Sequence, residues 1–415
     1  MSIYSLLTSR KENGSPIGVG IIGAGQMGRG LIAQISRVPG MEVRGVSDLN
    51  LPAAENAVAY YKSQLNDSNV QVKVSRDFGS VIEQNDVEVV VDATGIPEVG
   101  ANIALHALGA KKHLVLLNVE VDVTIGPILS KWFKAANLIY TGSAGDEPAA
   151  TLELVEFANT LGLEVVVAGK GKNNPFLPEA NPDTCEEEAN RKHMSSHMLA
   201  AFQDGTKTMA EMNLLSNATG FIPDVVGMHG VHADVKTVGE KLRLQSEGGC
   251  LTHYGVVEYV HGLAPGVFII VKSPLPPVDE ELRYLSVGKG PYYTLYRPFH
   301  LASLETPISI ARAVLLHDPT IAPLGGPVSE TVAVAKRDIR AGERVDGIGG
   351  YSVRGVVETH EDMNKNSHFP IGLVAGNVVA KQNIAKGQFL TLDDVELDMN
   401  TTVWHLRQIQ NKLFS

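Results

Sequence analysis

Two lysines stand two residues apart in "EVVVAGKGKNNPF", Glu164 to Phe176, where an apolar run ends in Gly169, Lys170, Gly171, Lys172, Asn173 and Asn174. Residues two apart on an extended chain point the same way, so both ammonium groups should share one face. Two cations with two carboxamides at the mouth of a buried strand suit either a solvated loop or the floor of an anion-binding site. Three other segments place reactive groups near strand ends. "GSAGDEPAA" carries Asp146 and Glu147, as helix-capping acids, metal ligands or a general base. "GMHG" sets His229 between glycines, where an imidazole could act as acid or base or be purely structural. "YRPFH" carries Arg297 and His300 after an aromatic-rich run, and an arginine fork binds carboxylate or phosphate.

The elements that position these groups begin with "GIIGAGQMGRG", where Gly23, Gly25 and Gly28 keep G-x-G-x-x-G spacing between an apolar strand and a helical pattern. The first glycine permits a tight turn, the second lets backbone approach a pyrophosphate, and the third allows close helix–strand packing. Gln26 and Met27 open the helix whose N-terminus favours the anion. Asp48 ends the next strand, 20 residues after Gly28, where its carboxylate can accept from both ribose hydroxyls. That carboxylate repels a 2'-phosphate, and Leu49 and Asn50 supply no cation, so NAD is favoured over NADP. "DATGIPE" and "NVEVD" follow later strands, which places Thr94, Gly95, Asn118 and Glu120 beside the nicotinamide half, or else as caps and turn residues. With a cofactor domain present, Lys170 and Lys172 read better as substrate contacts, since hydride transfer needs a group to polarise or protonate the substrate oxygen.

Strand–helix alternation from Ile17 to about Tyr140 predicts a doubly wound parallel sheet, an α/β Rossmann fold. The Met-, Leu- and Ala-bearing helical stretch after "AGKGK" reads as core. Gly/Pro-punctuated β-like runs then suggest an α+β substrate domain on a mixed or antiparallel sheet. "DPTIAPLGGPVSE" reads as a linker. Beyond it, "VAVAKRDIRAGERVDG" and "NVVAKQNIAKGQFLTLDDVEL" repeat one phrase, which predicts a small β-rich module with pseudo-symmetric halves. The expected domains are 1–160 for cofactor, 161–325 for catalysis and 326–415 for the module.

Composition narrows the class. A 415-residue chain with 44% hydrophobic and 20% charged residues suits a multidomain globular enzyme. A formal net charge of −11 argues against nucleic acid or an anionic membrane as main partner, so an anionic substrate needs a local basic cluster. Two cysteines, Cys185 and Cys250, make neither a disulfide framework nor a metal spacing, which fits a reducing cytoplasm. The N-terminal segment lacks a cleavage-like site, and no apolar run reaches membrane-span length.

"GAGQMG", "DATGIPEVG", "NVEVDVTIGP", "GDEP", "AGKGKNNP", "NATG", "GMHG", "EGG" and "GKGPYYTLYRPFHLASLE" together resemble the 1-deoxy-D-xylulose 5-phosphate reductoisomerase-like family, related to homoserine dehydrogenase. The tail, with "KRDIRAGERV" and "KQNIAKGQFLTLDDV", resembles the SAF module. The resemblance implies a cofactor domain, a catalytic and dimerisation domain, and hence a homo-oligomer. It also implies a rearrangement followed by NADPH reduction with Mg2+ or Mn2+. Lys172, Asn173 and Arg297 would then hold phosphate or polarised oxygens, and Asp146 or Glu147 would be nearest to the cation. Asp48, Leu49 and Asn50 depart from the arginines expected for a 2'-phosphate, so NAD-linked oxidation of a polyol, sugar acid or hydroxy acid competes. A catalytically inactive nucleotide- or carbohydrate-binding sensor is the reading from another class.

Overall fold

The computed structural model describes residues 2–65, 70–374 and 377–414. It divides into two compact units. The first comprises Met1–Asp146, Leu301–Ala322 and Thr401–Ser415, and the second Glu147–His300 and Pro323–Asn400. These compact units interleave along the chain rather than following one another in sequence. Leu301–Ala322 rejoins the first unit because Ile321 pairs with its last strand, accepting from the Gly142 N–H at 2.8 Å. The final helix, Thr402–Leu413, rejoins it through buried Arg407, which donates to the Thr124 carbonyl at 3.1 Å.

In the first unit, β1 (Ile17–Ile22), β2 (Met41–Ser47), β3 (Lys73–Ser75), β4 (Val89–Asp92), β5 (His113–Leu116) and β6 (Tyr140–Gly142) form one sheet. Its order is β3-β2-β1-β4-β5-β6 and every pair is parallel. That is the doubly wound order, with its crossover between β1 and β4, where ligands sit outside the strand carboxyl ends. β1 is buried at all six positions because helices cover both faces, so its apolar run is continuous rather than alternating.

The second unit is built on β7 (Glu164–Gly171), β8 (Val231–His232), β9 (Val256–His261), β10 (Val267–Lys272) and β11 (Tyr293–Arg297). Their order is β11-β10-β7-β9-β8. β7 runs parallel to β9 and antiparallel to β10, so the sheet is mixed and β7 is its central strand. Val165, Ala168, Val257, Ile269 and Val271 pack with Met209, Met212 and Leu215 of the helix Thr206–Thr219, confirming the methionines as core.

The repeated phrase folds as the sequence suggests. β12 (Ser329–Ala335) pairs with β14 (Val353–Thr359), while β13 (Arg344–Val345), β15 (Val378–Ala380) and β16 (Val395–Glu396) form a second small sheet. Ile339 and Ile384, equivalent in the two phrases, exchange both backbone hydrogen bonds at 2.8 Å. The Gly342 N–H donates to the Ala380 carbonyl and the Gly387 N–H to the Ala335 carbonyl, at 2.7 and 2.9 Å. Both glycines have φ near +80°, which L side chains rarely adopt. The module packs on Thr206–Thr219 through polar contacts. The Thr206 hydroxyl accepts from the Gly355 N–H at 2.8 Å, and Asn217 Oδ1 accepts from Val328 N–H at 2.7 Å.

Gly169 shows how tightly β7 is held, since a Cβ there would lie 1.9 Å from the Glu258 carbonyl oxygen on β9. Gly169→Ala is expected to cost about 1–3 kcal/mol by overpacking, read from urea denaturation. Wild-type stability in that variant would contradict the close β7–β9 approach.

Candidate functional site

The glycine turn of the first unit is shaped as a dinucleotide cradle. Gly23 has φ +102°, and a Cβ on it would lie 2.7 Å from the Ala93 carbonyl oxygen. A Cβ on Gly28 would lie 1.9 Å from the Gly23 carbonyl oxygen, so the third glycine is required by packing. A Cβ on Gly25 would meet nothing within 4 Å, and Gly25, Gln26 and Met27 are exposed. Gly25 caps the helix Gln26–Ile35 without a side-chain hydrogen bond, which leaves the N–H groups of the first turn for an anion. These residues fit a dinucleotide.

Asp48 is fixed by backbone donors, with Oδ2 accepting from Ala24 N–H at 2.6 Å and Oδ1 from Asn50 N–H at 2.7 Å. Arg44 pairs with Glu42 at 2.9 Å and with Asp86 at 3.5 Å, so its charge is directed to these carboxylates. Thr94 and Asn118 converge on a group that sequence reasoning took only as part of a loop, Asp92. Its carboxylate accepts from the Thr94 hydroxyl at 2.7 Å, the Thr94 N–H at 2.9 Å and the Asn118 amide at 2.9 Å. Burial outweighs these bonds and pushes Asp92 up to about 6. Asn118 also caps the helix Val119–Ala135 by accepting from Val121 N–H at 3.2 Å. Glu120 is buried in that helix's first turn, and Gly95, at φ +67°, shapes the loop before Pro97–Gly109.

In the second unit both lysines of "AGKGK" are buried, which removes the solvated-loop reading. Their roles differ. Lys170, on β7, pairs with Glu147 at 2.7 Å and with Glu211. Burial alone would lower its pKa, yet the two carboxylates hold it above the ordinary lysine value. Lys170 is therefore corrected from an available substrate contact to a neutralised one. Lys172 donates to the Phe202 carbonyl at 2.9 Å. Burial, then repulsion from Lys170, pushes its pKa down to about 8 despite Glu211, Asp204 and Glu147.

The carboxylates of Glu147 and Glu211 come within 4.8 Å of each other, and Lys170 already sits on both. That arrangement fits a divalent ion poorly at Glu147, because the ion would have to displace a buried ammonium. Glu147 opens the helix Glu147–Thr160, and the half-buried Asp146 precedes it at the end of the first unit. Burial raises the Glu147 pKa, but Lys170 and His300 together hold it below the usual carboxylate range. His300 Nε2 lies 3.4 Å from Glu147 Oε1.

Arg297, Val267, Lys170 and Tyr259 stand in one row across β11, β10, β7 and β9. Two strand spacings separate Arg297 from Lys170, roughly 10 Å, and Arg297 pairs with Glu153 at 3.0 Å. Asn173 is exposed and Asn174 half-buried. His229 is gathered elsewhere, its Nε2 2.7 Å from Asp224 Oδ2. Its backbone N–H donates at 2.8 Å to Glu258, which also accepts from Gly230 and Tyr259 N–H groups at 3.1 and 2.8 Å. Glu258, fully buried on β9, is pushed up to about 7 by burial. An acid inside the apolar run "GVVEYV" was the signal that could have found it.

Residues 145–306 match the family model described as Oxidoreductase DRL, catalytic domain. Residues 330–396 match the SAF domain, and residues 17–117 match Dihydrodipicolinate reductase, N-terminus. Three successive stretches of the chain are thus each similar to a different domain model. No curated protein matches the chain. Among solved structures, an NAD binding oxidoreductase from Klebsiella pneumoniae is 16% identical over 40% of this chain and 45% of its own, TM-score 0.32. The myo-inositol dehydrogenase from Lactobacillus casei, in complex with NAD(H) and myo-inositol, is 17% identical over 70% and 68%, TM-score 0.35. A probable dehydrogenase from Thermotoga maritima is 14% identical over 74% and 91%, TM-score 0.43. At such TM-scores these likenesses decide neither substrate nor cofactor. Among the described residues no helix is long and apolar enough to cross a membrane.

Lys170→Met leaves Glu147 and Glu211 buried without their cation and should cost about 3–5 kcal/mol, measured by denaturant unfolding. For Lys172 the folded pKa lies below the unfolded one, so between about 8 and 10.5 the unfolded chain binds more protons. Stability should therefore rise with pH across that window through this group. Subtracting the profile of Lys172→Met isolates that contribution, and identical slopes for both proteins would contradict it.

Proposed function

We propose that the chain is an NAD-linked oxidoreductase of a small polyhydroxylated anion, a sugar acid or sugar phosphate, with Lys172 as its general acid/base. The observation that carries this reading is the pairing of a buried, partly titratable Lys172 with a neighbouring Lys170 whose charge is already neutralised. NAD, when bound, supplies the two-electron hydride chemistry. Asp48 holds the ribose hydroxyls and repels a 2'-phosphate. Lys172 Nζ, neutral in roughly a tenth of molecules at neutral pH for a pKa near 8, takes the proton from a substrate hydroxyl during oxidation. As the ammonium it returns a proton to the carbonyl oxygen in the reverse direction. Lys170 cannot do this, because losing its proton would leave two carboxylates uncompensated. It positions Lys172 and lowers its proton affinity.

A rearrangement coupled to reduction is the second reading. It is favoured by the oxidoreductase DRL match over 145–306 together with the resemblance carried by "AGKGKNNP". Product analysis after incubation with deoxyxylulose phosphate, Mn2+ and NADPH separates the two, since only rearrangement changes the carbon skeleton.

Asp48→Ala is expected to relax the preference for NAD over NADP, and an unchanged ratio would show the acid misplaced. Lys172→Gln should lower kcat by about 10²–10⁴ with NAD affinity retained, and should remove the rise in oxidation rate as pH passes about 8. A loss confined to NAD binding would contradict the role of Lys172.

A further inference from the structure

Around the Phe176 ring the second unit collects donors that, among the described residues, no carboxylate contacts in an ion pair or hydrogen bond. Lys172 Nζ lies 5.9 Å from the ring centre, and the Arg354 guanidinium 5.8 Å. The Tyr259 ring lies 6.4 Å away. Arg354 is half-buried on β14, in the C-terminal module, and among the described residues it makes no ion pair and no hydrogen bond. The Tyr259 hydroxyl likewise has no hydrogen-bond partner among the described residues, although Tyr259 is 5% exposed. Lys172 spends one N–H on the Phe202 carbonyl, leaving two.

The charges nearby do not cancel. Asp204 is paired with Lys336 at 2.5 Å, and Glu147 and Glu211 are both paired with Lys170. Lys170 and Lys336 hold these three carboxylates in ion pairs, and among the described residues neither Lys172 nor Arg354 forms an ion pair. A desolvated guanidinium without a partner is costly, and a planar fork is best satisfied by two oxygens of one carboxylate or phosphate. In a chain of net charge −11 this is a local feature and not a basic surface.

We propose that Arg354 and the Tyr259 hydroxyl form the receptor for the oxyanion group of the substrate, a carboxylate or a phosphate, beside the proton-transferring Lys172. The C-terminal module thereby contributes a specificity residue. This rests on reading the second unit as the substrate-binding unit, and it assigns the anionic end of the substrate to Arg354 in place of Arg297. It also gives the SAF region a task at the site, namely supplying the fork that the lysine alone lacks.

Calorimetric titration of the full-length protein with inorganic phosphate and, separately, malonate tests this. One of the two should bind, and which one binds identifies the group recognised. Arg354→Gln should weaken that binding about tenfold to a hundredfold, as expected for losing a charge-assisted pair. Arg354→Lys should recover part of it, and Lys381→Gln, at the exposed twin of Lys336, should change nothing. If Arg354→Gln does not fold by circular dichroism, Tyr259→Phe takes its place, with a smaller weakening expected. Binding of neither probe, or binding unaltered by the variants, overturns the proposal; phosphate held only at the glycine turn gives that second result. NADH titration of the wild-type protein is run in parallel. Absent NADH binding overturns the nicotinamide reading while leaving the receptor intact, whereas NADH binding without anion binding overturns only the receptor.

Discussion

The contact on which the second unit depends is the ammonium of Lys170 held between Glu147 and Glu211. One carboxylate opens the helix after the first unit and the other lies within Thr206–Thr219, so one cation joins two helices to the central strand β7. Buried charges of this kind gain little net stability against apolar replacements, but breaking one partner strands the rest. Their more consequential effect here is electrostatic. Burial, and then the charged Lys170 beside it, lower the Lys172 pKa to about 8.

The same helix ties the C-terminal module to this centre. Thr206–Thr219 presents Glu211 to Lys170, while Thr206 and Asn217 receive backbone donors from the module. The two repeated phrases of the module have diverged in a way that follows this packing. Lys336 is buried against Asp204 and the carbonyls of Ala180 and Gly350, whereas its equivalent, Lys381, is exposed and its ammonium donates to the Leu392 carbonyl. One half of the pseudo-symmetric module thus packs its lysine into the second unit, while the other turns its lysine outward.

Much of this was legible in the sequence because its signals are local. The glycine turn, the acid ending β2, the buried strand ahead of "GKGK" and the duplicated phrase each declare themselves within a dozen residues. What was not legible is non-local. Glu211 lies 41 residues from Lys170 and reads as an ordinary helical position, so the neutralisation of Lys170 was invisible. Arg354 sits in "YSVRGVV", where a lone arginine in a strand suggests only a solvated edge. The interleaving of the two compact units was hidden for the same reason. Leu301–Ala322 and Thr402–Leu413 return to the first unit through pairings with residues far away in the chain. Asp92 and Glu258 were passed over because single acids ending or interrupting apolar runs resemble turn residues until their burial is known.

Two lysines two residues apart thus have opposite protonation behaviour. Lysine-selective NMR titration of the full-length protein, with resonances assigned through Lys170→Arg and Lys172→Arg, measures it directly. One ammonium, that of Lys172, should titrate near pH 8, and the other, that of Lys170, should stay protonated to above its ordinary 10.5. Two ordinary lysine titrations near 10.5, or the low value on Lys170, would contradict it.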